Sequence, residues 1–347
     1  MTSLTEPSLQ VVGGVDTHKD VHVAAAIDTT GRMLGTVSFP TTSAGYRALL
    51  GWLRGHGTVV RVGIEGTGCW GAGITRFVTD AKIPVVEVDR PNRQRRRRHG
   101  KSDPTDAEAA ARAALAHDAT TIPKSRDGNV EMIRALRVAR RSAIKARTQA
   151  ANQLHALVVN APDTLRAQLR TLNTNQLIEH AANFRAGSMT TPAAAIKLAL
   201  HEIARRHRHL SGEIIRLDAH LDELVKATAP QLVARRGVGT DTAGALLVAT
   251  GDNPHRLANE RSFAALCGAS PRDASSGKQQ RHRLNRGGDR QANHALWRIV
   301  MVRMSCDPAT KAYIARRRAE GKTTREAIRC LKRYVAREIY QALHLTP

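Results

Sequence analysis

VVGGVDTHKDVHVAAAID, residues 11–28, reads as two strands around a short turn. Val11 to Val15 is a short apolar run interrupted by Gly13 and Gly14, the pattern of a buried strand, and it delivers Asp16 at its end. Thr17 to Asp20 forms the turn, and Val21 to Asp28 alternates as a second strand. Gly31 supplies the next turn and Met33 to Phe39 a third strand, so the three make an antiparallel meander. Further out, Thr42 or Ser43 caps an amphipathic helix with Tyr46, Leu49, Leu50 and Leu53 on one face. Thr58 to Ile64 is a β-branched strand that ends on Glu65. After the turn Gly66-Thr67-Gly68 come a helix from about Trp70 to Ala81, a strand from Ile83 to Val88, and a helix that starts at Asp103.

The order strand, strand, strand, helix, strand, helix, strand, helix places acids at the end of strand one, at the end of strand four and at the start of the last helix. Sites in open α/β sheets form outside strand ends and switch points, so Asp16, Glu65, Asp103 and Asp106 are expected to meet there. Four carboxylates suit two Mg²⁺ (or Mn²⁺) ions, because hard cations take oxygen ligands and unpaired carboxylates this close repel. Two such ions orient the attacking oxygen and neutralise the leaving one in phosphoryl transfer. Just upstream, Arg93, Arg95, Arg96, Arg97, Arg98 and Lys101 would draw a polyanion toward the acids. A plainer reading of Asp103-Pro104-Thr105-Asp106 is an ordinary helix start, with a capping Asp, proline at the first helical position and an acid in the first turn.

Composition narrows the partners. The chain has 347 residues, enough for two or three domains, and carries 54 Lys and Arg against 30 Asp and Glu, a formal charge of +24. That excess points to nucleic acid, where neutralising phosphates releases counterions. No apolar run reaches the roughly eighteen residues of a spanning helix, and residues 1–10 lack the basic start and apolar stretch of a signal peptide. No membrane partner is expected. Cys69, Cys267, Cys306 and Cys330 stand far apart without a CxxC pair, which argues against zinc and disulfides and fits a reducing cytoplasm. Aromatics make up only 3%, so contacts from helices and backbone are expected to outweigh an aromatic stacking platform.

Three segments follow from these patterns: an α/β domain at 11–125, a long-helix coiled-coil region at 126–230 and an all-α domain at 231–347. Asn129 to Val159 reads as one long helix. A second, beyond Pro192, repeats by four and three through Ile196, Leu200, Ile203, His207, Leu210, Ile214, Leu217, Leu221 and Leu224, a heptad seam with one polar member. Its partner is either the first long helix or another copy of the chain, and His207 is either a register residue or a tolerated core histidine. Arg235-Arg236-Gly237-Val238-Gly239-Thr240 is a GxG turn between helices that can aim backbone N–H groups at a phosphate, like a helix-hairpin-helix, with Thr240 or Asp241 as the cap. After a helix from Glu260 to Cys267 capped by Asn259, periodicity stops. A Gly-bounded loop holds Ser275 and Ser276 beside Lys278, Arg281, Arg283 and Arg286. It suits either a phosphate-contacting linker or a nucleophile with cations around the pentacoordinate oxygens. Gln280 to Arg286 is strand-like, Asp289 starts a helix, Asp307 another, and Thr323 with Glu326 spells a capping box for the last.

VDTHKD, IEGTG and KSDPTDA together resemble the DEDD domain, an RNase H and RuvC-like fold, of the insertion-sequence one-ten transposase family and the related Piv-type DNA invertases. RRGVGT, GASPRDASSGK and RHRLNRGGDRQANHALW resemble the C-terminal transposase domain of the same family, in the family's order. The resemblance implies that the serine directly before the glycine, Ser276, is the nucleophile, with Ser275 as the alternative. It further implies a composite site in which metal-bound carboxylates help the serine take a DNA phosphate. Double-stranded donor and target DNA, a structured guide RNA and a homo-oligomer, dimer or tetramer, are the partners it implies, in the bacterial cytoplasm at the nucleoid. Two rivals stay open: a RuvC-like metal-dependent Holliday-junction endonuclease that forms no covalent adduct, and a catalytically inactive nucleic-acid scaffold.

Overall fold

Five strands form the sheet of the first unit in the computed structural model, which describes residues 9–88, 102–185, 187–278 and 282–344. They are β1 (Gln10–Thr17), β2 (Val21–Asp28), β3 (Met33–Pro40), β4 (Thr58–Glu65) and β5 (Val85–Val88), in the order β3-β2-β1-β4-β5. The meander is antiparallel, while β4 and β5 continue the other edge in parallel with β1. β1 is therefore central, and both it and β2 are buried on both faces rather than alternating. Helix α1 (Ser43–Gly55), capped by Thr42, covers one face: Leu49, Leu50 and Leu53 pack on Val11, Val15, Val62 and Ile64. Helix α2 (Ala72–Asp80) adds Ile74 and Val78 to the same core.

Helix α3 (Asp103–Leu115) covers the other face, and its sequence explains how closely it lies. Ala110, Ala111 and Ala114 form a small-residue stripe against Val12, Ile27, Val86 and Val88, while Ala107 meets Val23 and Ala25. Gly14 and Gly63 face that stripe. A Cβ on Gly14 would stand 2.1 Å from the Ala107 carbonyl oxygen, and one on Gly63 would stand 2.5 Å from that of Ala110. Only glycine permits that approach of helix backbone to sheet. The first turn of α3, with Asp103 and Asp106, is thereby set against the sheet. The cap of α3 is Ser102 rather than Asp103, which already lies inside the helix.

The compact units of the chain are Met1–Ser125 and Arg126–Pro347. In the second, α4 (Asn129–Val159) and α7 (Pro192–Thr228) are the two long helices, the latter about 55 Å long at 1.5 Å per residue. They run antiparallel. Ile133 near the start of α4 shares a core with Leu221 and Val225 near the end of α7, and Leu154 and Val158 share one with Leu200 and Ala204. The seam is thus satisfied within the chain. The short helices α5 (Asp163–Leu169) and α6 (Thr174–Ala182) close its far end through Leu165, Leu169, Leu177 and Ile178. His207 stays half-buried, and burial, with Arg147 nearby, lowers its pKa.

The near end of the hairpin belongs to the main core, which is why 126–230 and the residues after it share one compact unit. That core adds α8 (Pro230–Val233), α9 (Thr240–Thr250), α10 (Glu260–Leu266), α11 (Arg290–Cys306), α12 (Pro308–Ala319) and α13 (Thr324–His344). Asp252 caps α4 from a distance in sequence, accepting from Val130 N at 2.7 Å and Glu131 N at 3.2 Å. Gly128 is needed there, since its Cβ would fall 2.5 Å from Asp252 Oδ1.

Glu260, in the first turn of α10, accepts from Arg333 Nη2 at 2.8 Å and Arg337 Nε at 2.9 Å on α13. Arg333 first and Arg337 second hold its carboxyl down at about 2. The unfolded value is about 4.3, so the stabilisation is complete above that pH and fades as pH falls toward 2. Glu260→Gln should cost about 1 kcal/mol at neutral pH, the upper range for exposed pairs, and nothing near pH 2. Thermal melts of parent and variant across pH 2–7 check this, and a pH-independent gap would refute it.

Candidate active site

Asp16, one residue before the end of β1, is in register with Val23 of β2, and Val15 beside it pairs with Ile64 of β4, so Glu65 closes the neighbouring strand at the same sheet edge. Thr17 Oγ1 ties the two strand ends by donating to the Glu65 carbonyl oxygen at 2.8 Å. The start of α3 lies at this edge as well. His18 Nε2 stands 3.3 Å from Asp16 Oδ2 and 3.2 Å from Asp103 Oδ2. Asp16, His18 and Asp103 each offer a donor atom, and all three atoms lie within 4.8 Å of one another.

The electrostatics follow from placement. Asp16 and Asp106 are buried, whereas His18 and Asp103 are half exposed in their side chains. Burial pushes the Asp16 carboxyl above its ordinary value, His18 opposes this, and the charges of Asp106 and Asp103 add to it. Carboxylates crowded in this way favour a cation between them. Two carboxylates and an imidazole at this spacing fit a divalent ion. The close set therefore unites Asp16 and Asp103 of the expected four. Asp106 acts on Asp16 through its charge, and Glu65 sits at the adjacent strand end outside the three-donor set. His18 is the member the sequence reading passed over as a turn residue. Its signal was its position two residues beyond the strand-end acid.

The serine loop belongs to the second unit. Its ends are pinned beneath α10: Asn293 Nδ2 donates to the Cys267 carbonyl at 2.7 Å, Asn285 Nδ2 to that of Ala265 at 3.1 Å, and Asp289 N to that of Leu266 at 2.6 Å. Gly268 and Gly288 meet backbone to backbone, where a Cβ on Gly288 would lie 2.3 Å from Gly268 N. Between these ends, β6 (Arg272–Asp273) and β7 (His282–Arg283) pair as a two-stranded ribbon. Of the expected strand-like stretch from Gln280 to Arg286, His282 and Arg283 are paired in β7, whereas Gln280 and Arg281 lie outside the described residues. Ser275 and Ser276 lie beyond the ribbon, both exposed, with Gly277 in the left-handed region at φ +57. Ser275 Oγ donates to Asp273 Oδ1, and its N–H donates to the same oxygen at 2.8 Å. The Ser276 hydroxyl has no hydrogen-bond partner among the described residues. Lys278, Arg283 and Arg286 are exposed in the same loop.

The GxG turn is built differently from expectation. Gly239, not Thr240 or Asp241, caps α9, and its N–H donates to Thr242 Oγ1 at 3.0 Å, which removes one of the donors foreseen for a phosphate. Gly237 has φ +77, and a Cβ there would meet the Ile299 carbonyl oxygen at 3.2 Å, so this glycine serves the turn and its packing. Asp241 instead pairs with Arg137 of α4 at 2.7 Å. Arg235 is half-buried, while Arg236 is exposed and lies 3.2 Å from Asp307. Arg93, Arg95, Arg96, Arg97, Arg98, Lys101 and Arg281 lie outside the described residues. Among the described residues no helix is long and apolar enough to cross a membrane.

Two family models match the chain. One, described as a transposase of the DEDD type, covers residues 13–161, and the other, described as "Transposase IS116/IS110/IS902 family", covers 231–315. The first holds the acidic cluster and the second the serine loop. A protein of Streptomyces coelicolor, "Insertion element IS110 uncharacterized 43.6 kDa protein", is 35% identical over 120 residues. That alignment spans 34% of this chain and 29% of the relative.

Proposed function

Since the chain belongs to the IS110 transposase family, we propose that it is the transposase of an insertion element, cutting and rejoining DNA strands through a serine ester at Ser276 with the help of metal-bound carboxylates. The observation that carries this reading is the gathering of Asp16, His18 and Asp103 donors within 4.8 Å, next to buried Asp106, at one edge of the sheet. The order β3-β2-β1-β4-β5, with the first three strands antiparallel and the rest parallel, supports an RNase H and RuvC-like fold.

Asp16, His18 and Asp103 would hold Mg²⁺ or Mn²⁺, and Asp106 and Glu65 are the carboxylates nearest in the fold that a second ion would draw on. A bound ion supplies charge neutralisation at the scissile phosphate. Ser276 forms the new bond to phosphorus, giving up its hydroxyl proton, as the strand's own oxygen leaves with the electron pair of the broken P–O bond. Lys278, Arg283 and Arg286 position the phosphate and offset charge on its free oxygens. The reverse attack by a second strand end frees the serine and joins DNA. The charge of +24 exceeds what one duplex contact needs, which supports a second polyanion, a structured guide RNA, in a dimer or tetramer acting in the cytoplasm.

A RuvC-like endonuclease is the second reading, because the acidic cluster would suffice for hydrolysis without the serine. One assay separates them. Strand exchange on donor and target duplexes, with the element's RNA present, should require Mg²⁺ or Mn²⁺ and stop with chelator. A denaturing gel should hold a protein-linked DNA product. Cleavage without that product supports the endonuclease, and exchange undiminished by chelator removes the metal site.

A further inference from the structure

A cavity of about 500 Å³ opens in the second unit between the root of the serine loop, Gly268–Pro271 with Leu284 and Asn285, and helix α13. Its volume lies within the roughly 300–1,000 Å³ of sites that hold small organic groups. Its wall is rich in cations, and two of these are already matched. Arg333 is held by Glu260 at 2.8 Å, and Arg329 lies 3.9 Å from Glu326. Lys332 differs. Its ammonium is half-buried and donates to Asn293 Oδ1 at 2.8 Å, and among the described residues no carboxylate lies within ion-pair distance.

A half-sheltered ammonium that lacks an anion favours one supplied from outside. Tyr334 lines the same cavity and is 56% exposed, a high value for one of only four tyrosines in the chain. Leu284, also in the wall, is 57% exposed. An anion seat, an aromatic surface and room for a base and sugar together match a nucleotide, and they do not match a bare phosphate, which has no use for the apolar wall. Continuity favours a nucleotide within a strand over a free one. Arg283 belongs both to the cavity wall and to the serine ribbon, so a strand lying on the ribbon reaches the cavity along one cationic surface.

We propose that this cavity receives a single unpaired nucleotide of the strand held by the serine ribbon, with its phosphate on Lys332 and its base against Tyr334. The proposal rests on the reading that the ribbon holds DNA. Binding is therefore measured in chelator, where no strand is cut, so that loss of strand exchange and loss of this site are read separately. A fluorescent single-stranded DNA decamer and a duplex of equal length are titrated with the full-length parent and with Tyr334→Ala, Tyr334→Phe and Lys332→Gln. Thermal melts check that each variant folds.

Tyr334→Ala should weaken single-strand binding by about tenfold, the range for losing one stacked base, while duplex affinity moves less than about twofold. Tyr334→Phe keeps the ring and should bind as the parent does. Lys332→Gln should also weaken the single strand and reduce the salt dependence of binding. Parent-like single-strand affinity in Tyr334→Ala, which alters an exposed residue, overturns the proposal. So does displacement of the decamer by inorganic phosphate as readily as by unlabelled decamer, which would mark a site for free anions.

Discussion

Asp16→Asn abolishes strand cleavage, lowering its rate by at least about a thousandfold, and leaves the protein as stable as the parent or more so. The first half follows from the donor set. Asp16 is the buried member of the three, and an amide oxygen carries no charge with which to hold a divalent ion. Loss of a few kcal/mol of transition-state charge stabilisation, at 1.36 kcal/mol per decade, gives the magnitude. The second half follows from crowding: burial and the charges of Asp106 and Asp103 already disfavour the Asp16 carboxylate, and His18 offsets only part of this. The near-isosteric amide keeps the place of the side chain beside Val23 without the charge. Groups held in an unfavourable state for the sake of function commonly show this opposition of stability and activity. Cleavage is measured in Mg²⁺ and melting in chelator. Activity within tenfold of the parent would take Asp16 out of the mechanism, and a large drop in melting temperature would make it a structural residue.

The acids at the sheet edge were legible because element ends are legible. A β-branched run that stops at a carboxylate fixes Asp16 and Glu65 at strand ends, and proline after Asp103 fixes a helix start. What brings those ends together is a contact the sequence marks only faintly, the glycines Gly14 and Gly63 against the alanines of α3. Gly13 and Gly14 read as an interruption of the strand, while Gly14 in fact sets the distance of the helix. His18 escaped notice for a related reason, since a turn residue acquires a role only once the helix carrying Asp103 lies beside it. Period explains the long helices. The heptad of α7 fixed its length and buried stripe, yet the same stripe fits a partner helix from either chain, and only packing against α4 decides for the one within. The GxG turn was misjudged at its cap because the helix starts one residue earlier than the capping side chains suggest: Gly239 is the cap, and its N–H is taken by Thr242 Oγ1 in the first turn.

Ser276→Ala eliminates the covalent protein–DNA product and lowers strand exchange by at least about a thousandfold, while DNA binding changes less than about threefold; an alanine cannot form the ester, and one neutral hydroxyl adds little to an affinity dominated by phosphate charge. Its neighbour gives the contrast. Ser275 Oγ is engaged by Asp273, which also accepts the Ser275 N–H, so Ser275 fastens the loop on which Ser276 stands exposed. Ser275→Ala should keep the covalent product and lose part of the rate, through looser positioning. A reversal of the two phenotypes would assign the ester to Ser275, with Asp273 as its base. Ser276→Cys adds a further arm, since a thiol in the same place can form a phosphorothioester link to DNA. If both alanine variants cleave at the parental rate and neither parent nor cysteine variant ever carries DNA, the strands are opened by water at the acidic cluster, and the serine ribbon only holds them.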